Sequence, residues 1–222
     1  RHISRSLRMK VGEKLDVSDF SGYVYSCEID GFTEDTVSLR ILEKNLCESE
    51  PDVKVRIFQA LPKGDKLDTV IQKCTELGAY DFTPVLTSRC ISRPDDKSAK
   101  KKCERWQKIS AEAAKQCGRG IVPEVKDALS YKQMLEELCK AELHFICYEG
   151  DTVRPIREIV EEAGTFASVA FYIGPEGGIS AGEIELANER KIPLAGLGKR
   201  ILRTETAPLF VLSALSVLAE RD

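Results

Sequence analysis

The residues best suited to chemistry lie between Phe171 and Ala207, in two loops rich in glycine and charge. The first is Gly174-Pro175-Glu176-Gly177-Gly178, whose three glycines allow positive φ and a close approach of the backbone to a ligand. The second runs Gly198-Lys199-Arg200-Ile201-Leu202-Arg203-Thr204-Glu205-Thr206-Ala207. Glu176 would repel a phosphate placed in the first loop, so its carboxylate suits a polar or cationic ligand. Familiar nucleotide motifs are absent. There is no G-x-x-x-x-G-K-[ST], and Gly196-Leu197-Gly198 offers only the first two glycines of a dinucleotide fingerprint. Two histidines, His2 and His144, support neither a Ser-His-Asp arrangement nor a zinc site by spacing, and no C-x-x-C pair occurs.

Each loop is entered from a short apolar run. Val169 to Ile173 is continuous and β-leaning, as expected for a strand covered on both faces, and Pro193 to Leu197 is a second short strand. Ser180 sits three residues before Glu183, a capping-box start for a helix from Ala181 to Arg190. The second loop feeds an apolar helix from Thr206 to Glu220, with Leu209, Phe210, Leu212, Leu215 and Leu218 available to a core or a partner subunit. Two such units in tandem are expected to put both loops at the carboxyl ends of neighbouring parallel strands, where open α/β sheets bind ligands.

Upstream, strands are expected at Val53 to Ala60, Tyr80 to Leu86 and His144 to Tyr148. Helices are expected at Lys66 to Leu77, Ala99 to Cys117, Tyr131 to Lys140 and Thr152 to Glu162. This alternation predicts an α/β fold with a mostly parallel sheet. Residues 1–50 read differently. Tyr23 to Ile29 and Thr36 to Leu42 alternate apolar and polar residues around the turn Asp30-Gly31, the pattern of a small β-barrel or sandwich. Glu48-Ser49-Glu50-Pro51-Asp52 is a polar joint, which divides the chain into domains 1–50 and 51–222. The first is short for independent stability and is expected to lean on the rest of the chain or to lack an N-terminal strand. Residue 1 is Arg rather than Met, so the 222 residues are not expected to be the whole translation product.

The chain is 42% hydrophobic and 31% charged, an ordinary globular mix, with no apolar run near the roughly 20 residues of a membrane span. Its eight scattered cysteines read as reduced, small hydrophobic residues, which points to the cytoplasm. The net charge of −3 argues weakly against a nucleic-acid partner, but the cations cluster. Arg1, Arg5, Arg8, Lys10 and Lys14 crowd the start, and Lys97 to Arg119 holds eight cations diluted only by Glu104 and Glu112. Either run alone would be a solvated face; both together with Lys199, Arg200 and Arg203 make a phosphate-backbone footprint. Trp106, beside Lys102 and Arg105, is either a core anchor on its helix or a platform for a base. Residue types and spacing therefore reach an enzyme or binder with a C-terminal loop site near RNA.

GPEGG followed by LGKRILRTETA resembles the SPOUT methyltransferases, specifically the family that methylates N3 of a uridine in 16S ribosomal RNA. The likeness runs nearly the whole chain. RHISRSLRMKVGE resembles the start of that family's PUA-like RNA-binding domain. FQALPKGDKLDTVIQKCTELG is similar to the first strand and helix of its catalytic domain, and AEAAKQCGRGIVPEV to the segment after its long helix. The resemblance implies a trefoil knot over roughly residues 144–220, one of the rare exceptions to unknotted chains, and a homodimer with the last helix and the knot at its interface. It also implies S-adenosylmethionine bound at Tyr148-Glu149, Gly174-Pro175-Glu176-Gly177-Gly178 and Leu197 to Ala207, with Leu197, Gly198, Ile201, Leu202, Arg203, Thr206 and Ala207 as the contacting positions of the last stretch.

Transfer to N3 asks for a general base, or for a cation against the charge developing on O2 and O4 as the imide proton leaves. Arg203 is expected to be that cation. Glu205 is expected to accept the proton or to hold Arg203, with water as an alternative acceptor and a structural Arg203–Glu205 ion pair as the plainer reading. RNA contacts are expected from Arg5, Arg8, Lys10, Lys63, Lys101, Lys102, Gln116, Arg119 and Arg200. Arg119 and Gln116 could equally cap the long helix, and Lys63 and Lys66 could simply face solvent. Two other readings stay open: a methyltransferase acting on tRNA or a ribose 2′-hydroxyl, and a non-catalytic RNA-binding assembly factor.

Overall fold

The computed structural model describes residues 8–93, 95–150 and 153–219. The chain forms two compact units, Arg1–Glu50 with Gly118–Val122, and Pro51–Cys117 with Pro123–Asp222.

The first unit carries an antiparallel sheet of β1 (Lys14–Ser18), β2 (Tyr23–Phe32) and β3 (Val37–Leu46), with β2 central. Its buried side chains are Cys27 and Ile29 on β2, whereas β3 is exposed along most of its length. Among the described residues this is an open three-stranded sheet rather than a closed barrel. The expected turn at Asp30-Gly31 is also corrected. β2 continues to Phe32, the ladder skips a residue between Ile29 and Gly31, and the chain reverses at Thr33–Thr36. There the Thr33 N–H donates to the Thr36 carbonyl at 3.0 Å and the Thr36 N–H to Thr33 Oγ1 at 3.0 Å. An Asp-Gly pair serves a β-bulge as well as a hairpin, and the threonine bonds decide which.

Residues 118–122 belong to this unit for specific reasons. The Glu50 carboxylate accepts from Arg119 Nη2 (2.7 Å), Gly120 N (2.7 Å) and Ile121 N (3.0 Å), and Gly22 N donates to the Gly120 carbonyl (2.9 Å). Gly120 lies so near Cys47 that a Cβ would stand 2.4 Å from Cys47 Cβ, which only glycine avoids.

The second unit runs β4 (Lys54–Ala60), α1 (Lys66–Glu76), β5 (Ala79–Leu86), α2 (Asp96–Cys117), β6 (Glu124–Val125), β7 (Leu129–Ser130), α3 (Tyr131–Leu138) and β8 (Leu143–Cys147). It continues with β9 (Arg154–Pro155), α4 (Ile156–Ala163), β10 (Ser168–Ile173), α5 (Ala181–Glu189), β11 (Leu194–Gly196) and α6 (Ala207–Ala219). The sheet order is β6-β5-β4-β10-β8-β11-β9, with β7 also on β5, and every pair is parallel. Parallel strands under helices are covered on both faces. Val169, Ala170, Phe171 and Tyr172 in succession are fully buried, and side chains the size of Val169 and Phe171 contribute roughly 2 kcal/mol each by leaving water.

α1 buries Leu67, Val70, Ile71 and Cys74, one face of a 3.6-residue period. Its exit at Gly78 has φ +91, where a Cβ would meet Pro51 Cγ at 2.6 Å. Capping boxes start α3 (Ser130 with Gln133) and α5 (Ser180 with Glu183). Trp106 is buried, and its indole N–H donates to Asp68 Oδ1 at 3.0 Å, so it anchors α2 on α1 and offers no face to a base. No helix among the described residues is long and apolar enough to cross a membrane.

One expected adjacency is corrected. β10 and β11 are not neighbours, because β8 lies between them, pairing Phe145 with Phe171 and Ile146 with Leu194. Phe145 and Ile146 are fully buried, which places their strand at the interior of the sheet. The carboxyl ends of three strands, rather than two, therefore meet at one edge.

Candidate functional site

At those three ends is a cavity of about 520 Å³, in the range of small-molecule sites. β8 leads into it through Tyr148, Glu149 and Gly150, β10 through the first glycine loop and β11 through the second loop. Of the positions expected to hold a methyl donor, Tyr148, Glu149, Gly174, Pro175, Glu176, Gly178, Leu197, Gly198, Ile201, Leu202, Arg203 and Ala207 line the cavity, whereas Gly177 and Thr206 do not. Arg200, expected at the RNA, also lines it. Sequence reasoning missed Cys147, Gly150, Val153, Ile173, Ile179 and Gly196, whereas Thr204 fell within the expected stretch Leu197 to Ala207. Ile173 and Ile179 bracket the glycine loop as apolar neighbours, a signal that could have been used. Val153 carries no local signal.

The two loops are tied together beneath the cavity. Thr204 Oγ1 donates to the Gly174 carbonyl (2.8 Å) and accepts from Gln59 Nε2 (2.9 Å), joining both loops to the end of β4. Gly174 leaves no room for a side chain, since a Cβ would stand 2.9 Å from Ile179 Cγ1. Gly178 has φ +70 and closes a turn by donating to the Pro175 carbonyl at 2.9 Å. The α5 start holds the far side of the loop. Glu183 is buried; Oε1 accepts from the Ser88 N–H and hydroxyl (3.1 Å each), Oε2 from Ser180 N (2.9 Å), and the main-chain carbonyl from the Tyr131 hydroxyl (3.0 Å).

Burial works against ionised Glu183, but the backbone and hydroxyl donors of Ser180 and Ser88 outweigh it and hold its carboxyl below the ordinary value of 4.5. A lowered folded value means that stabilisation is complete above the ordinary value and is lost as pH falls through the lowered one. Glu183→Gln is therefore expected to destabilise by about 1–3 kcal/mol at neutral pH. The gap from the unaltered protein should close as the solution is acidified below 4.5, which urea denaturation at several pH values checks.

Three expectations about charge are corrected, for Lys66, Glu205 and Arg119. Glu176 has partners beside its loop, its Oε1 accepting from Lys63 N (3.1 Å) and from Lys66 Nζ (2.8 Å). Burial opposes its ionisation, yet donation from Lys66 and from backbone N–H groups prevails and holds the carboxyl low. That same bond raises the Lys66 ammonium, which faces carboxylates rather than open solvent. Glu205 does not hold Arg203. Its Oε2 lies 3.6 Å from Lys66 Nζ, buried and without a hydrogen bond, and Glu205 does not line the cavity. Thr204 is buried between the two residues, and Arg203 has no ion pair among the described residues. Arg119 is only 4% exposed and faces Glu50, so it is closed to RNA.

The other expected RNA contacts are placed as follows. Arg8, Lys10, Lys63, Lys101, Gln116 and Arg200 are exposed; Lys102 is half-buried, with Nζ 3.3 Å from Ser92 Oγ; Arg5 lies outside the described residues.

The lining fits S-adenosylmethionine on its own chemistry. Gly174, Gly178, Gly196 and Gly198 line it without side chains, and Gly196 at the end of β11 is packed as tightly as Gly174, with a Cβ position 2.7 Å from Val153 Cγ2. Ile173, Ile179, Leu197 and Leu202 supply apolar walls, and the carboxylates of Glu149 and Glu176 suit a cationic group. Cys147 also lines the cavity, but burial pushes its thiol up, away from a reactive thiolate.

Residues 49–216 match the model of the RNA methyltransferase domain. A Bacillus subtilis (strain 168) protein called ribosomal RNA small subunit methyltransferase E is 40% identical over 99% of this chain and 87% of its own length. A Neisseria gonorrhoeae protein of the same name, solved bound to S-adenosyl methionine, is 29% identical with a TM-score of 0.85, over 98% of this chain and 88% of that one. A Legionella pneumophila protein solved in complex with the same cofactor is 32% identical with a TM-score of 0.85, over 100% of this chain and 89% of that one.

Proposed function

The chain belongs to the ribosomal RNA small subunit methyltransferase E family of RNA methyltransferases, and from that we propose that it methylates N3 of a specific uridine in 16S rRNA, using S-adenosylmethionine. The observation that carries this reading is the cavity where three strand ends meet, with glycines and Arg203 in its wall, the arginine in no ion pair among the described residues. The S-adenosylmethionine-bound relatives support the donor, and the relatives' names support small-subunit rRNA.

The donor supplies a methyl group already activated on a sulfonium, so the chain's work is positioning. In our reading the glycine backbone and the apolar walls hold the donor, while Glu149 and Glu176 favour its cation. Arg203 faces the charge that develops on O2 and O4 as the N3 proton leaves. With Glu205 turned to Lys66, water takes that proton. N3 lies on the pairing edge, so the uridine enters unpaired or extruded. Arg8 and Lys10 in the first unit, and Lys63, Lys101, Lys102, Gln116 and Arg200 in the second, contact RNA. We further read the catalytic unit as a SPOUT fold with a trefoil knot over about residues 144–220, and the first unit as PUA-like. The protein acts as a cytoplasmic homodimer through α6, whose Phe210 and Val217 are exposed.

The test is methyl transfer from labelled S-adenosylmethionine to small ribosomal subunits lacking the modification, with nucleosides resolved by mass spectrometry. We expect 3-methyluridine. A 2′-O-methylated nucleoside, or transfer to tRNA alone, would replace the substrate assignment. Donor binding without transfer to any RNA would indicate a non-catalytic assembly factor.

A further inference from the structure

Arg89 stands in the turn after β5 and does not line the cavity, yet it grips the loop that does. Its Nη1 donates to the Gly177 carbonyl at 2.8 Å and to the Ile179 carbonyl at 3.3 Å. No carboxylate pairs with it among the described residues, so this guanidinium is directed at two main-chain carbonyls instead of a counter-ion. The packing agrees. A Cβ on Gly177 would stand 3.3 Å from Arg89 Cβ, and one on Gly178 would stand 3.7 Å from Arg89 Nη1. The neighbouring Ser88 is fastened to Glu183 at the start of α5, which anchors the turn that carries Arg89.

The glycine loop therefore has two faces. Gly174, Pro175, Glu176 and Gly178 meet the cavity, whereas Gly177 meets Arg89. Glycine loses more conformational freedom on ordering than any other residue, so a loop with three glycines binds a ligand weakly unless it is ordered beforehand. We propose that Arg89 is a positioning residue that pre-organises the glycine loop for the methyl donor. The inference rests on reading the cavity as the donor site.

The experiment is calorimetric binding of S-adenosylmethionine to the full chain and to Arg89→Ala and Arg89→Lys, with amide hydrogen exchange on the donor-free proteins. Arg89→Ala should weaken donor binding roughly tenfold, the scale of losing charge-assisted bonds at an exposed site. The loss should be entropic, and Arg89→Lys should recover part of it. KM for the donor should rise while kcat at saturation and RNA affinity stay within about twofold, since Arg89 touches no reacting atom. Exchange should quicken at residues 176–180 and stay unchanged in β4 and β10. Unchanged donor affinity in Arg89→Ala would overturn the proposal, as would a loss confined to RNA affinity. Faster exchange throughout β4 and β10 would also overturn it, by making Arg89 a general structural residue. If the unaltered protein itself failed to bind the donor, the reading of the cavity would fall. The exchange data would still decide whether Arg89 orders the loop.

Discussion

Replacing Arg203 by Ala is expected to slow methyl transfer about 10²–10³-fold, the usual consequence of removing one stabilising group from a developing anion. The geometry separates this effect from folding. The Arg203 backbone is held, because its carbonyl accepts from Thr206 N (2.9 Å) and Ala207 N (3.0 Å) at the start of α6. Arg203 lines the cavity, is exposed and has no ion pair among the described residues, so loss of its guanidinium strands no buried charge. Stability should stay within about 0.5 kcal/mol of the unaltered protein. RNA affinity should change by less than about threefold, as expected for loss of a single rim cation. Arg203→Lys keeps the charge but not the planar fork, and should recover only part of the rate. Single-turnover rates at saturating donor and RNA, beside RNA binding under the same salt, make the measurement. Equal losses in rate and RNA affinity would reduce Arg203 to an ordinary phosphate contact.

Glu50→Ala should destabilise the first unit by about 1–3 kcal/mol, the cost of removing an acceptor that several donors share. Arg119, only 4% exposed, loses the carboxylate that faces it. Gly120 N and Ile121 N lose their acceptor at the same time. Glu50→Gln keeps an oxygen for those donors and should cost distinctly less. Amide exchange of β2 reports this unit, while the fluorescence of Trp106, on α2, reports the other. Unfolding of β2 at unchanged urea midpoint would mean that water replaces Glu50 at little cost.

Local chemistry made much of the molecule legible in advance. The capping box of Ser180 and Glu183 starts α5, Val169 to Ile173 lies within β10, and Gly78 ends α1, because caps, continuous apolar runs and positive-φ exits are decided within a few residues. The two charged loops stood out for the same reason, since clustered glycine and charge are uncommon without a ligand to serve. What a bond joins across the sheet was not legible. Asp30-Gly31 reads identically as hairpin and bulge until the strand pairing is known. Glu205 is two residues from Arg203 but pairs with Lys66, because α1 brings an ammonium to the loops from far away in sequence. Arg89 and Arg119 likewise look like any surface arginine in the sequence, and only their carbonyl or carboxylate partners distinguish them.

The sequence by itself determined the class of the fold, the start of α5, and the two loops that matter, all through interactions between near neighbours. Tertiary structure alone decided that β8 enters between β10 and β11, that three strand ends share one cavity, and which cation each carboxylate meets. Strand order and ion pairing depend on burial shared by residues far apart in the chain, and no local pattern carries that information.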